Sequence, residues 1–312
     1  MFLDHVGAVV LEGKLADVGM DQAMMSRDTL QQFMEQYGLL YWADLILRMI
    51  GRLGFPIFCF LLIEGFLHTR SRRKYGRNLL LFALLSEIPF DLAFTRARAD
   101  AVLIGGVFYP DYQNVFFTLF IGLLCLCGYE AVDQHIAEYR KNVWSLLLAW
   151  GMRITGILLP AWILMSEISQ YLPDPAYAGK TLIMLLSLLI PAAGYLVYFL
   201  MKRSVVAYQK ICTDITILSL GMLLADFLKT DYSSIGILTI TMMYLFRKNH
   251  FKSMLAGCIT LTLFNTMEIT SFLDLIPVKK YNGERGLQMK YFFYAFYPVH
   301  LFLLYLISKY LV

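Results

Sequence analysis

From residue 45 to residue 67 the chain is largely apolar over a length that would cross a bilayer, and it holds Arg52 inside that run. A crossing takes roughly 20 apolar residues, and comparable runs recur near 79–95, 113–132, 143–166, 181–201, 210–228, 233–246, 253–277 and 291–312. Backbone groups inside lipid need internal partners, which helices supply. The chain is therefore expected to fold as an all-α membrane helix bundle of roughly ten segments. Its composition agrees: 59% hydrophobic and 16% charged residues, against about 25% charged in soluble domains.

The first apolar run, 1–11, is short, since eleven helical residues reach only about 17 Å of a hydrocarbon core near 30 Å. It is expected to be either a half-helix or a truncated segment that roughly ten further apolar residues upstream would complete. It does not read as a signal peptide, because no basic region precedes it and Asp4 and His5 interrupt it. Residues 13–44 are expected to form an extracytoplasmic loop. Leu30, Phe33, Met34, Tyr37 and Tyr41 recur there at helical spacing before Trp42, as in a helix lying in the interface. The larger share of Lys and Arg then falls on the side that holds both termini, which is assigned to the cytoplasm. The stretch 278–290, with Lys279, Lys280, Arg285 and Lys290, departs from that rule.

The net charge of +4 sits mainly in short loops, so orientation by Lys and Arg explains it better than nucleic-acid binding. No linker divides 1–312, and one integral membrane domain surrounded by lipid is expected. Cys59, Cys125, Cys127, Cys212 and Cys258 all lie in apolar runs and read as packing residues, so no metal is expected.

Against this apolar background, ionisable residues inside the runs mark a site, because a charge at depth costs about 2.5–3.5 kcal/mol on insertion scales. At 1.5 Å per residue they separate into two layers. Arg52 is about 10 Å from the outer end of its run, His5 about 9 Å and His300 about 13 Å. Glu87 and Asp91 share that level, bordered by Asn114, Asp226 and Asp231. In the inner layer Glu64 and His68 are four apart, hence on one helix face, and the basic stretch Arg70, Arg72, Arg73, Lys74, Tyr75 and Arg77 follows. That stretch is either an anion-docking loop or the ordinary cytoplasmic basic excess.

Several readings stand at single residues. Arg52 is a functional charge or the partner of Glu87 or Asp91 in a structural ion pair. Asp4 orients His5 as a base, rims the helix, or pairs with Arg52. His300 is functional or bonds a carbonyl freed by Pro298. Glu268, with Asn265 one turn back, reads as a contact between helices, and His135 and His250 as solvated.

At these residues the chain resembles the TraX family, membrane proteins associated with N-terminal acetylation of conjugative pilin. The resemblance runs through Asp4-His5-Val6-Gly7-Ala8, Gly51-Arg52-Leu53-Gly54-Phe55-Pro56, Glu64-Gly65-Phe66-Leu67-His68-Thr69-Arg70 and Ser86-Glu87-Ile88-Pro89-Phe90-Asp91. It continues through Asp226-Phe227-Leu228-Lys229-Thr230-Asp231-Tyr232, Tyr281-Asn282-Gly283-Glu284-Arg285-Gly286 and Phe296-Tyr297-Pro298-Val299-His300-Leu301. The family is also similar to a wider group of membrane acyltransferases, which join a histidine in the first span to a basic patch ahead of a proline. His5, Arg48, Arg52 and Pro56 would fill those places.

The resemblance implies an acetyltransferase of the bacterial cytoplasmic membrane that uses cytoplasmic acetyl-CoA and no metal. It would acetylate an amine or hydroxyl of an extracytoplasmic acceptor, such as a pilin N-terminus or an envelope glycan. Its catalytic set would be His5, Asp4, Arg52 and His300. Around them, Arg48, Glu64, His68, Arg70, Arg72, Arg73, Tyr75, Glu87, Asp91, Asn114, Asp226, Asp231, Tyr232 and Tyr297 would bind donor and acceptor. Two other classes compete: a transporter for an anionic or proton-coupled solute, which inverted repeats would support, and an assembly factor whose polar residues are structural.

Overall fold

The computed structural model describes residues 1–95, 103–104, 107–135, 143–171, 177–202, 204–284 and 289–310; Arg285 and Gly286, named above, lie outside them. Among the described residues the fold is helical, with isolated bridges at Ile104–Phe108 and Gln113–Thr230 and no strand. Among the described residues, three stretches are long and apolar enough to cross a membrane: Arg27–His68, Val115–His135 and Leu147–Ser166. Shorter apolar helices include Ser233–Leu245 and His250–Phe264. The chain forms two compact units, 1–120 with 225–312, and 121–224.

In the first unit the chain opens with α1 (Phe2–His5), passes through a π-helical turn (Val6–Leu11) and continues as α2 (Glu12–Asp17). The opening helix thus runs past Leu11, where the apolar run ends, because Glu12, Lys14 and Asp17 continue the helix after hydropathy falls. The short α3 (Met20–Ala23) leads to α4 (Arg27–Gly51), where Ser26 caps the first turn by accepting from the Thr29 amide at 3.2 Å. The helical spacing over 30–41 therefore belongs to a helix that continues through Asp44 to Gly51.

The run 45–67 is expected as one span, but the structure divides it between α4 and α5 (Gly54–His68). Gly51 and Gly54 flank the break, and Arg52 occupies it, at a helix end where its side chain can turn away from either axis. Gly51 is required by close approach as well, since a Cβ there would overlap the Asp4 side chain. Gly51→Ala is expected to cost about 1–3 kcal/mol in thermal unfolding. Gly151→Ala, which meets open space, should be neutral or gain up to about 1 kcal/mol. Equal effects would mean that the Asp4 contact does not constrain the fold.

The unit is completed by α6 (Arg72–Phe94), the first part of α7 (Val115–His135), α11 (Ser233–Leu245), α12 (His250–Phe264), a 3-10 helix (Thr266–Asp274), α13 (Leu275–Lys279) and α14 (Lys290–Tyr310). Ser71 and Asn249 cap α6 and α12. α14 packs on α6 and on the π-turn, while α5 packs on α11 and α12. The turn ahead of α11 holds Lys229, Tyr232 and Ser233 at positive φ, 53°, 63° and 40°, a conformation that non-glycine residues keep only where surrounding structure imposes it.

The second unit joins the rest of α7 to α8 (Val143–Tyr171), α9 (Tyr177–Lys202) and most of α10 (Val205–Phe227). Two of its polar side chains are tied to backbone: Tyr195 donates to the Gly156 carbonyl at 2.6 Å, and Gln209 to that of Ala149 at 3.1 Å. Arg153 donates to Gln209 at 2.6 Å beside a cavity of about 350 Å³. None of the site residues inferred from the sequence lines that cavity.

Candidate functional site

The π-turn follows His5 directly, and it widens the helix so that the Glu12 amide reaches back five residues to Gly7. On the facing helix, His300 lies one turn after Phe296 and donates from Nδ1 to that residue's carbonyl at 2.7 Å. The acceptor is the carbonyl four residues back, not the Tyr294 carbonyl that Pro298 leaves without an amide. His5 Nδ1 then meets His300 Nε2 at 2.7 Å. The two ring planes agree within 3° and their centroids are 4.9 Å apart. Beyond the 2.7 Å bond, that spacing is accounted for by two ring radii, so the imidazoles meet edge to edge in one plane.

These contacts fix the tautomers when both rings are neutral. His300 spends its proton on Phe296 and presents a lone pair at Nε2; His5 must then donate from Nδ1, which leaves its own lone pair at Nε2. Both histidines are buried, at 7% and 4% exposure. Phe94 and Tyr297 meet the His5 ring edge-on, with centroids at 5.5 and 5.7 Å, and Phe116 packs on Tyr297. The wall around the His5 ring is aromatic.

The carboxylate neighbouring His5 does not orient it. Asp4 pairs with Arg48 at 2.7 Å, so the expected Asp4–His5 dyad and the alternative Asp4–Arg52 pair are both replaced. Adjacent helical residues diverge by about 100°, so His5 faces α14 while Asp4 faces α4. Arg52 likewise does not pair with Glu87 or Asp91. Its guanidinium reaches Glu268 at 3.3 Å and hydrogen-bonds the Tyr232 hydroxyl, while its Nε has no partner.

Glu87 and Asp91 have other work. Asn114 donates to Glu87 and, at 2.8 Å, to the Ala83 carbonyl, while Asp91 accepts from the Tyr109 amide at 2.8 Å. They fasten the segment ahead of α7 to α6. Tyr112 donates to Asp231 at 2.9 Å, Thr118 donates to the Asp231 carbonyl, and Tyr232 stacks on Phe55 at 3.6 Å. These contacts impose the strained turn. Asp226 caps α11 by accepting from the Ser234 amide at 2.8 Å.

The second cluster forms around Glu64. His68 shares its helix face as the spacing requires, at 3.7 Å, and Glu64 also meets His250 at 3.5 Å and the Tyr281 hydroxyl at 3.3 Å. His250 is thus not simply solvated: its ring packs between Phe60 and Tyr281. Partial burial and the Glu64 carboxylate push the Tyr281 hydroxyl above its ordinary range. Arg70, Arg72 and Arg73 are exposed at the α5–α6 junction, with Arg72 over the Phe66 ring at 4.5 Å; Tyr75 packs against Gly65.

Depth along each run brings His5 and His300 to one level, and the structure joins them. Tyr112 and Phe94 are partners that sequence reasoning missed, and nothing in the sequence paired His250 and Tyr281 with Glu64; Glu268, read as a contact between helices, makes its contact with Arg52. Glu268 carried one signal, an acid inside the apolar run 253–277.

Among known proteins, the family model described as TraX protein matches residues 1–211 and 158–308. A curated relative, the probable fimbrial assembly protein FimC, serogroup H1, of Dichelobacter nodosus, is 35% identical over 85 residues, 27% of this chain. The match spans 34% of that relative's length. No solved structure matches.

Proposed function

This chain belongs to the TraX family, and from that premise we propose that it is a multi-pass membrane acetyltransferase that modifies a pilus or fimbrial subunit or another envelope acceptor. In this reading it crosses the bacterial cytoplasmic membrane roughly ten times, with both termini in the cytoplasm and acetyl-CoA as donor. The match to a fimbrial assembly protein supports the acceptor class. The observation that carries the chemistry is the relay Phe296 carbonyl, His300, His5, which leaves a lone pair on His5 Nε2.

The acceptor amine would attack the thioester carbonyl, forming a C–N bond as its proton passes to His5 Nε2. His300 Nε2, accepting from His5 Nδ1, would stabilise the resulting imidazolium, the role given to a carboxylate in hydrolytic triads. Collapse would break the C–S bond, and the proton on His5 would pass to the departing thiolate, so that atoms and charge balance. Arg52 supplies a fixed positive charge for the oxyanion, with Arg48 as the neighbouring cation. Asp4 would position Arg48 rather than the base.

Purified protein given radiolabelled acetyl-CoA and cell-envelope fractions should move label onto an acceptor. Absence of label on protein, glycan and lipid fractions alike would overturn the reading. The exposed Arg70, Arg72 and Arg73 would take the phosphates of CoA. Their joint replacement by Gln should raise KM for acetyl-CoA about tenfold, with kcat little changed and an effect that shrinks in salt. An unchanged KM, with topology verified, would return these residues to orientation alone.

A further inference from the structure

The 3-10 helix Thr266–Asp274 is nine residues long, where such runs rarely exceed three or four. With three residues per turn, positions i, i+3 and i+6 eclipse, and the residues at that spacing are Glu268, Ser271 and Asp274. All three face inward, at 2%, 0% and 3% exposure, while Met267, Ile269 and Leu273 face outward. The pattern is the reverse of a soluble helix. Each inward residue also has a buried atom without a partner: Glu268 Oε2, Ser271 Oγ and Asp274 Oδ2.

Buried oxygens left bare are unfavourable unless something satisfies them, and ordered water is the usual means. A rise of about 2 Å per residue puts successive members of this stripe about 6 Å apart. That gap accommodates one water bonded to both neighbours. One end of the stripe meets a charge, and beyond its other end the chain leads through α13 to a second polar cluster. At the first, Glu268 meets Arg52, and Thr270 donates to the Met49 carbonyl at 2.8 Å, fixing this end beside the break between α4 and α5. From there the 3-10 helix and α13 run back along α12. Tyr281, just past α13, reaches Glu64 and His250, the first residue of α12.

We propose that Glu268, Ser271 and Asp274 hold a file of ordered water and form a proton path from the Tyr281–Glu64–His250 cluster to the Arg52–Glu268 pair. Each step makes one O–H bond as it breaks another, so the path carries H⁺ without an oxidant or reductant. It stands independently of acetyl transfer.

Cys258 provides a reporter, because it is fully buried and its thiol donates to the Ser271 carbonyl at 3.2 Å. Its S–H stretch lies in an infrared window clear of other protein bands and is assigned by difference against Cys258→Ala. Cys59 has equally little exposed surface and serves as the reference thiol on transfer of the purified full-length chain to D₂O, with the change in the Cys258 to Cys59 rate ratio on substitution as the readout. Ser271→Ala, which removes the middle hydroxyl, and Asp274→Leu, which dries the stripe, should each lower that ratio about tenfold or more. Tyr281→Phe should do the same at the entrance while keeping its ring contacts, and it serves if the buried variants do not fold. A ratio that survives these substitutions unchanged would overturn the proposal.

Discussion

His5→Ala is expected to lower kcat for acetyl transfer by about 10²–10⁴-fold while folded protein still accumulates in the membrane. The ring is small and edge-packed, and deleting it removes the lone pair at the end of the relay without leaving a buried charge. His300→Ala should cost less, about 10–10²-fold, because His5 keeps its base but loses the acceptor that holds its Nδ1 proton. His300→Gln, whose amide oxygen can accept from His5, should recover part of that loss. The two readouts separate the roles: a base reduces kcat, whereas a group that only positions substrate raises KM. Full turnover by His5→Ala would eliminate His5 as the base. Turnover retained there but abolished in His300→Ala would transfer the role to His300.

The all-helical character was legible in hydropathy alone, and so was the shared level of His5 and His300, because helical rise converts sequence position into depth; their direct contact was not. What depth cannot give is azimuth. Asp4 and Arg52 lie at similar depths, yet Asp4 turns to Arg48 and Arg52 to Glu268. The break at Arg52 was masked because the apolar run continues through it; the flanking Gly51 and Gly54 were its one trace. Glu87 and Asp91 read as site carboxylates, yet they bind Asn114 and the Tyr109 amide, partners from a segment without hydrophobic periodicity. The polar stripe was invisible for a related reason. A period of 3.6 spreads Glu268, Ser271 and Asp274 over about 120° of a helix, and the 3-10 period brings them into line.

Pairing with Glu268 also determines what loss of Arg52 should do to the fold. Considered alone, a buried arginine is a cost, and its removal would stabilise the protein. Here its removal leaves Glu268, at 2% exposure, with no cation beside it. Breaking one side of a buried pair typically costs about 3–5 kcal/mol, whereas replacing both partners by apolar groups is often neutral or stabilising. Arg52→Met and Glu268→Leu should therefore each destabilise by about that amount, and the double variant should regain most of it. Arg52→Lys should keep the charge but lose either Glu268 or Tyr232, because one ammonium does not reproduce the guanidinium fork. Thermal unfolding of all four proteins in one detergent measures the coupling directly. Additive single losses would mean that the pair contributes nothing and that Arg52 is held by Tyr232 alone. A double variant that is stable but inactive would show that the charge is kept for chemistry while the carboxylate beside it keeps that charge folded.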